Sequence, residues 1–219
     1  MRLNPRFAGL VLAVPLAAAA APAAAQTTSP ESAFTIYGAY RDGGSFIDAS
    51  TDQKLRLDGS AAWAISFDKG LDGSRQLQFY VSYQNTDLGL EQSAFVTPQP
   101  GAAPASAPLP MKVMYFHFGG TNFFDGPIGQ GPYLVGGLGA TLFLPGRSGY
   151  SDELRPSLNL GIGYQVTLGE RVALRVETRG YVTLVNSSGG LFCSGGCLFT
   201  IKGDAVTQGE VQLGLSYRF

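Results

Sequence analysis

The stretch from Leu158 to Tyr181 most constrains the fold of this chain, because it holds two alternating segments joined by one tight turn. The second segment has an apolar face of Val172, Leu174, Val176, Thr178 and Val182, opposite Ala173, Arg175, Glu177, Arg179 and Tyr181. Alternation with a period of two is typical of a β-strand whose two faces meet different surroundings. A soluble sheet packed on a core produces the same pattern, so this stretch alone leaves soluble and membrane sheets open.

The start of the chain has the three parts of a secretory signal peptide. These are the basic segment Met1 to Arg6, an apolar segment from Phe7 to about Ala21, and the small residues Ala23, Ala24 and Ala25 at a cleavage site. Two prolines in and after the apolar segment make a retained transmembrane helix the weaker alternative. We therefore predict that residues 1–25 are a signal peptide cleaved near Ala25 and that residues 26–219 are exported.

The composition excludes two broad classes of protein. The formal net charge of the 219 residues is −1, and no basic cluster occurs, which argues against a nucleic-acid partner. After the signal peptide there is no apolar run long enough for a membrane-spanning helix. Charged residues make up only 14% of the chain and glycine is abundant with 30 residues, a composition that suits many short strands joined by turns.

Eight alternating segments can be followed along the exported chain. They are residues 34–41, 62–68, 76–84, 112–119, 132–143, 158–167, 172–182 and 210–219. The facing of the fourth and fifth segments stays open, because Val135 and Phe143 break the alternation. The long connections are residues 42–61, 85–111, 144–155 and 185–208, and they alternate with shorter ones.

This alternation of long and short connections predicts a membrane barrel. In an up-and-down sheet every second connection lies at the same end, so all the long connections share one end. Outer-membrane barrels have this asymmetry, whereas a soluble sandwich has no reason to segregate its loops. The strand lengths approach the roughly nine to eleven tilted residues that cross a bilayer. We predict an all-β fold, an eight-stranded antiparallel up-and-down transmembrane β-barrel.

Several motifs in the second half resemble small outer-membrane barrels of the OmpA and OmpX type. They are Gly161-Ile-Gly-Tyr164, Leu168-Gly-Glu-Arg171, Leu174-Arg-Val-Glu-Thr-Arg179 and the ending Ser216-Tyr-Arg-Phe219. The resemblance implies a place in the cell outer membrane, with membrane lipid and the outer-membrane assembly machinery as partners. It also implies that the terminal aromatics Tyr217 and Phe219 serve as the assembly signal. The domain that follows the OmpA barrel is not matched, so peptidoglycan anchoring is not implied.

A barrel in lipid turns its apolar face outward, which places the ionic face in the lumen. We predict a lumen ion network of Arg41, Arg175, Glu177, Arg179, Glu210 and Arg218. An eight-stranded barrel is just wide enough for side chains to fill it, and buried charges must be paired. The outward aromatics Tyr40, Trp63, Tyr83, Tyr164, Tyr217 and Phe219 are candidates for two interfacial girdles.

Cys193 and Cys197 flank Ser-Gly-Gly in the last long connection. An even pair of cysteines in an exported chain favours a disulfide. A metal site would lack two further ligands, and we predict neither a metal nor a cofactor.

No catalytic constellation is predicted. His117 is the sole histidine, and we interpret it as a packing residue, because no serine stands beside it in a hydrolase-like motif. The sequence favours a non-enzymatic outer-membrane barrel with a structural or surface-interaction role, in which the long loops could meet an extracellular partner. The alternative is a narrow channel or carrier for a small, apolar solute, as in OmpW-like barrels.

Overall fold

The computed structural model of the protein describes residues 32–48, 54–90, 108–125, 127–147, 150–185, 190–191, 199–202 and 205–219. Among these residues there is no helix long and apolar enough to span a membrane. The predicted signal peptide, Cys193 and Cys197 lie outside the described residues, so the cleavage site and the disulfide stay predictions.

Eight long strands form the body of the molecule, and four short strands extend it. The strands are β1 Ser32–Gly43, β2 Ser45–Asp48, β3 Lys54–Leu57, β4 Ser60–Gly70, β5 Arg75–Leu90, β6 Leu109–Phe123, β7 Gly131–Pro145, β8 Glu153–Thr167, β9 Val172–Leu184, β10 Gly190–Leu191, β11 Phe199–Lys202 and β12 Ala205–Arg218. Every pair of long neighbours is antiparallel.

The long strands close into a barrel because the first strand pairs with the last. In that seam Thr35 lies opposite Ser216 and Arg41 lies opposite Glu210. The backbone of Ser32 also exchanges two hydrogen bonds with that of Phe219, with N to O distances of 3.1 and 2.9 Å. Closure leaves the long strands without an open edge, as a spanning sheet requires. The predicted eight-stranded antiparallel barrel is confirmed.

Two ends of the barrel can be told apart by their connections. The turn end has the short turns 71–74, 124–130 and 168–171, and the loop end has the longer connections between β1 and β4, β5 and β6, β7 and β8, and β9 and β12. Both Ser32 and Phe219 lie at the turn end. These two names are used below.

Side chains alternate between the outside and the lumen along the long strands. On β9, Val176 is exposed, whereas its neighbours Arg175 and Glu177 are buried. The same alternation settles the facing of β6 and β7, because His117, Val135 and Phe143 are all buried in the lumen. The apolar Val135 and Phe143 therefore belong to the inner face.

The predicted long loop 42–61 contains strand structure at the loop end. Gly43 and Gly44 have φ angles of 91° and 93°, a conformation that favours glycine, and they bend the chain between β1 and β2. Strand β3 then pairs with β2 and with the end of β5. The barrel wall thus continues beyond the apolar belt through short paired strands, with Leu55 and Leu57 of β3 buried on the inside.

The interior has two apolar clusters, one at each end. The larger one lies toward the loop end and includes Leu55, Leu57, Leu88, Leu109, Met111, Val113, Phe143, Val185 and Val206. The smaller one, at the turn end, joins Phe123, Tyr133 and Val135 with Ile128 against them. The larger cluster also includes Tyr37, Tyr80, Tyr115 and Tyr181, which reach into the polar middle of the lumen.

Candidate functional site: the lumen ion network

The seam between β1 and β12 holds a fully buried ion pair. Arg41 Nε and Nη2 lie 2.8 and 2.5 Å from Glu210 Oε2, and both side chains have no exposed surface. The guanidinium also donates to the Ser82 hydroxyl and stacks over the rings of Tyr115 and Tyr181, 4.7 and 4.9 Å from their centroids. The seam is therefore held by a side-chain ion pair inside the lumen as well as by backbone hydrogen bonds.

A second ion pair crosses the lumen from β9 to β4. Arg175 Nη1 lies 3.0 Å from Asp68 Oδ2 and 3.1 Å from the Tyr37 hydroxyl, and Arg175 Nε donates to Gln165 Oε1 over 2.7 Å. Asp68 also accepts hydrogen bonds from Ser66 and Gln78. Asp68 was not among the predicted network residues, although its alternation with Ala62, Ala64 and Ser66 placed it on the inner face.

The third ion pair lies within β9, on the side of Arg175 toward the loop end. Arg179 Nη2 and Nε lie 2.6 and 2.7 Å from Glu177 Oε1. Glu177 Oε2 accepts a hydrogen bond of 2.8 Å from the Tyr133 hydroxyl, while Gln212 donates to Oε1. Both oxygens of this carboxylate are thus satisfied inside the protein, as a buried charge requires.

Tyrosine side chains connect the ion pairs to one another. The Tyr80 and Tyr181 hydroxyls lie 2.9 and 2.7 Å from Glu210 Oε1, and the Tyr80 ring lies 3.8 Å below the guanidinium carbon of Arg179. Glycines leave room for other rings, since a Cβ at Gly214 would lie 2.5 Å from Tyr37 and one at Gly163 would lie 2.4 Å from Tyr133. Tyrosine rings therefore fill the space next to these two glycines.

The fully buried charges in the middle of the lumen balance. Each arginine faces one carboxylate: Arg41 pairs with Glu210, Arg175 with Asp68 and Arg179 with Glu177. All six side chains are buried to within a few per cent of their surface. This arrangement fills the middle of the barrel with paired charges and offers no unpaired carboxylate to bind a passing cation.

Arg218 lies apart from these three ion pairs. It sits near the turn end, where Nη2 is 3.4 and 3.2 Å from the carbonyl oxygens of Gly169 and Glu170. It is the last residue of β12, and its side chain lies below the layer of buried ion pairs.

His117 has a serine partner that comes from a different strand. Its Nε2 lies 3.0 Å from Ser157 Oγ, across Gly139, which is the backbone neighbour of both residues. A serine nucleophile also needs a group that orients its base, yet His117 Nδ1 has no hydrogen-bond partner within the described part of the chain. The imidazole instead packs beside Tyr115 and Tyr181, at centroid distances of 5.5 and 5.8 Å, and these two rings are themselves stacked 4.2 Å apart, which fits a packing role.

The turn at 124–130 folds across the turn end of the barrel. Ile128 N donates to Gly73 O over 3.0 Å, and Thr167 Oγ1 donates to Gly129 O over 3.0 Å. The turn therefore touches β8 on one side and the turn between β4 and β5 on the other. Together with Ile128 beneath Phe123 and Tyr133, it narrows this mouth of the lumen.

Charged groups outside the apolar belt are paired at both ends. At the loop end, a hydrogen bond from Arg56 and one from the Gly43 amide lower the pKa of Asp42, whose oxygens both lie 2.9 Å from Arg56 Nη2. At the turn end, the Ser74 amide and the Arg75 side chain lower the pKa of Asp72 to about 2. Within the described residues, no three His, Cys, Asp or Glu side chains form a group that could hold a metal ion.

The outward aromatics occupy two levels. Tyr40, Trp63 and Tyr83 lie on the half of the belt near the loop end, and Tyr164, Tyr217 and Phe219 lie on the half near the turn end. The Tyr217 and Phe219 rings are stacked 6.5 Å apart, and both are well exposed. Two aromatic levels around an apolar belt are typical of barrels in a bilayer.

Comparison with known proteins identifies the fold. No protein family and no curated protein sequence matches the chain. Among solved structures, the chain is similar to Neisserial surface protein A, with a TM-score of 0.50, 17% identity, and coverage of 85% of this chain and 99% of that one. It is also similar to the outer membrane protein AlkL, determined in lipid bilayers, with a TM-score of 0.54, 14% identity, and coverage of 99% and 97%. The protein has the fold of the small eight-stranded outer-membrane β-barrels.

This outer-membrane barrel fold explains why one face of the wall is apolar and the other is ionic. The exposed apolar residues are the surface that such a fold turns toward lipid, and the buried ionic residues fill its lumen. The resemblance to OmpA- and OmpX-type barrels is confirmed at the level of the fold.

Proposed function

We propose that this protein is a non-enzymatic outer-membrane barrel whose lumen is closed and whose role is structural or exerted through its surface. The supporting observation is the balanced layer of three buried ion pairs, which fills the lumen at mid-depth. The turn end would face the periplasm and the loop end the cell exterior, because short turns are periplasmic in such barrels.

Planar-bilayer recordings of the purified, reconstituted protein test this proposal. Since paired side chains occupy the lumen, we expect no steady large conductance from the wild type. Arg41→Ala and Glu210→Ala together would remove one ion pair and are expected to introduce brief openings. A stable open pore in the wild type would overturn the closed-lumen proposal.

A second candidate is a carrier for a small apolar solute. The apolar cluster toward the loop end favours it, because Leu57, Met111 and Phe143 are buried where a barrel lumen is usually polar. Passage would still require the ion-pair layer to rearrange. Uptake of an uncharged apolar dye into protein-containing vesicles, measured against protein-free vesicles, separates the two candidates, and the first candidate expects equal rates.

We also infer that Tyr217 and Phe219 form the signal that the assembly machinery reads. Both rings lie side by side at the exposed end of the last strand. Deleting Phe219 should reduce the amount of barrel in the outer membrane while synthesis and export continue, as measured by fractionation and immunoblotting. Ordinary outer-membrane levels of the truncated protein would remove this role.

A further inference from the structure

A row of glycines runs across the outer surface of the barrel wall. The cross-strand partners in this row are Asp42 on β1, Gly209 on β12, Gly180 on β9, Leu160 on β8, Gly136 on β7 and Gly120 on β6. Because strands tilt in a barrel, the row crosses the belt obliquely from the loop end. The wall is bare of side chains along most of it.

The bare part of the row is open space. A Cβ at Gly209 would meet no atom within 4 Å, and one at Gly180 would meet only a carbonyl oxygen at 3.8 Å. Leu160 leans away from these two residues, since its Cδ1 would lie 3.5 Å from a Cβ at Gly136. The result is a groove of about 580 Å³ on the outer face, bounded by Tyr40, Leu160, Ile162 and Val211.

Glycine at these positions is not required by the backbone. Among the described glycines a left-handed φ occurs at residues 43, 44, 129 and 131, and neither Gly180 nor Gly209 is one of them. Glycine inside a strand weakens it, and such a residue often marks close approach of a ligand or of another backbone. A leucine at either position would add apolar surface toward lipid, so neither backbone conformation nor lack of space accounts for the bare floor.

We propose that the groove floored by Gly180 and Gly209 binds one acyl chain of an outer-leaflet lipid. The proposal rests on the outer-membrane placement proposed above. The ridge residues Tyr40, Val211 and Ile162 stand out, each with more than half of its surface exposed, so a second convex barrel would rest on them without reaching the floor. A single flexible hydrocarbon chain can reach it.

The end of the groove suits the polar part of a lipid. Asp42 is the next outward residue in the row after Gly209, and its ion pair with Arg56 leaves 48% and 43% of the two side chains exposed. The groove thus passes from an apolar floor to an exposed pair of hydrogen-bonding charges, in the order in which a lipid presents its chain and its headgroup.

Photolabelling in a defined bilayer tests the proposal. The protein is reconstituted in dimyristoyl phosphatidylcholine vesicles that contain a trace of phosphatidylcholine with a diazirine in one acyl chain, and adducts are mapped by mass spectrometry. We expect labelling of the β9 and β12 segments around Gly180 and Val211 several-fold above that of the lipid-facing residues of β5. Gly209→Leu should reduce it to the level of β5.

Gly38→Leu is the matched control. Gly38 lies on the same outer face, and a Cβ there would meet the Trp63 ring at an ordinary 3.8 Å, so this variant adds the same side chain outside the groove and should leave the labelling unchanged. Labelling that survives Gly209→Leu, or that Gly38→Leu abolishes equally, would overturn the site. Labelling of the groove that is lost as the protein-to-lipid ratio is raised, while that of β5 stays, would assign the groove to a second copy instead.

Failure of the barrel itself gives a different result. If the wild type does not insert into the vesicles and its mobility on a gel is the same before and after boiling, the outer-membrane proposal fails. A wild type that inserts and shows heat-dependent mobility but is labelled evenly around the belt contradicts only the acyl-chain site.

Discussion

Glu177 shows how a buried carboxylate is stabilised inside the lumen. Its two oxygens accept hydrogen bonds from Arg179, Tyr133 and Gln212, so no lone charge faces the apolar wall. Removing one member of a buried ion pair is costly mainly because the partner stays charged and unpaired. Here the partner is Arg179, whose remaining acceptors are the neutral amides of Gln78 and Asn159.

Glu177→Ala should therefore destabilise the barrel by about 3–5 kcal/mol, the range found for broken buried pairs. The measurement is urea-induced unfolding in lipid vesicles, followed by loss of the heat-resistant gel band. Glu170→Ala, in the exposed turn between β8 and β9, is the control and should leave the midpoint almost unchanged. Equal midpoints for wild type and Glu177→Ala would contradict the central role of this pair.

The facing of Asp68 could be predicted from the sequence, but its ion-pair partner could not. The alternation of residues 62–68 put it on the inner face, but no basic residue on that face of the segment pointed to an ion pair. Its partner Arg175 lies 107 positions away, and pairing over that distance depends on barrel closure rather than on any local pattern. The acids and bases on β9 and β12 could be predicted from the sequence, because these strands are neighbours and each shows a local alternating pattern.

At the scale of the strand, β9 separates two environments residue by residue. Arg175 and Glu177 are buried, and Val176 between them is half exposed on the apolar belt. The facing was predictable because the period of two persists over the whole strand. Strands β2 and β3 were not predicted, since each has only four residues, too few for an alternation such as that of Lys54–Leu57 to stand out. They are held by backbone pairing to each other and, for β3, to β5.

Val176→Arg is the sharpest test of this facing. Arginine at the midplane of the lipid face costs roughly 2–4 kcal/mol, so we expect a smaller inserted fraction after refolding into vesicles. Val176→Leu keeps the site apolar and should insert like the wild type. Normal insertion of Val176→Arg, together with reactivity of a Val176→Cys thiol toward a reagent confined to the lumen water, would reverse the assigned faces.

The whole molecule is joined by ion pairs that link distant parts of the chain. Arg41 and Glu210 are 169 positions apart and yet are directly opposite in the closing seam. Around them, Thr35 donates to Ser216 over 3.0 Å, and Tyr37 lies over Gly214. The seam therefore has a side-chain register of its own, in addition to the backbone ladder.

Reversing the seam pair tests whether charge sets this register. Arg41→Glu and Glu210→Arg should each place two like charges together and lower the folded fraction on a heat-mobility gel. The double variant restores opposite charges and should recover part of that loss, although Tyr80 and Tyr181 are arranged around a carboxylate on β12. A double variant that folds no better than the worse single variant would show that the pair does not guide closure.

Because two of these ion pairs join strands that are distant in the sequence, the buried charges are all paired only when the barrel is complete. A sheet that has inserted β1 and β4 to β9 but has not yet joined β12 to β1 has Arg41 without its carboxylate, next to a lipid phase that cannot solvate it. Such an intermediate gains little from entering the bilayer until the last strand arrives.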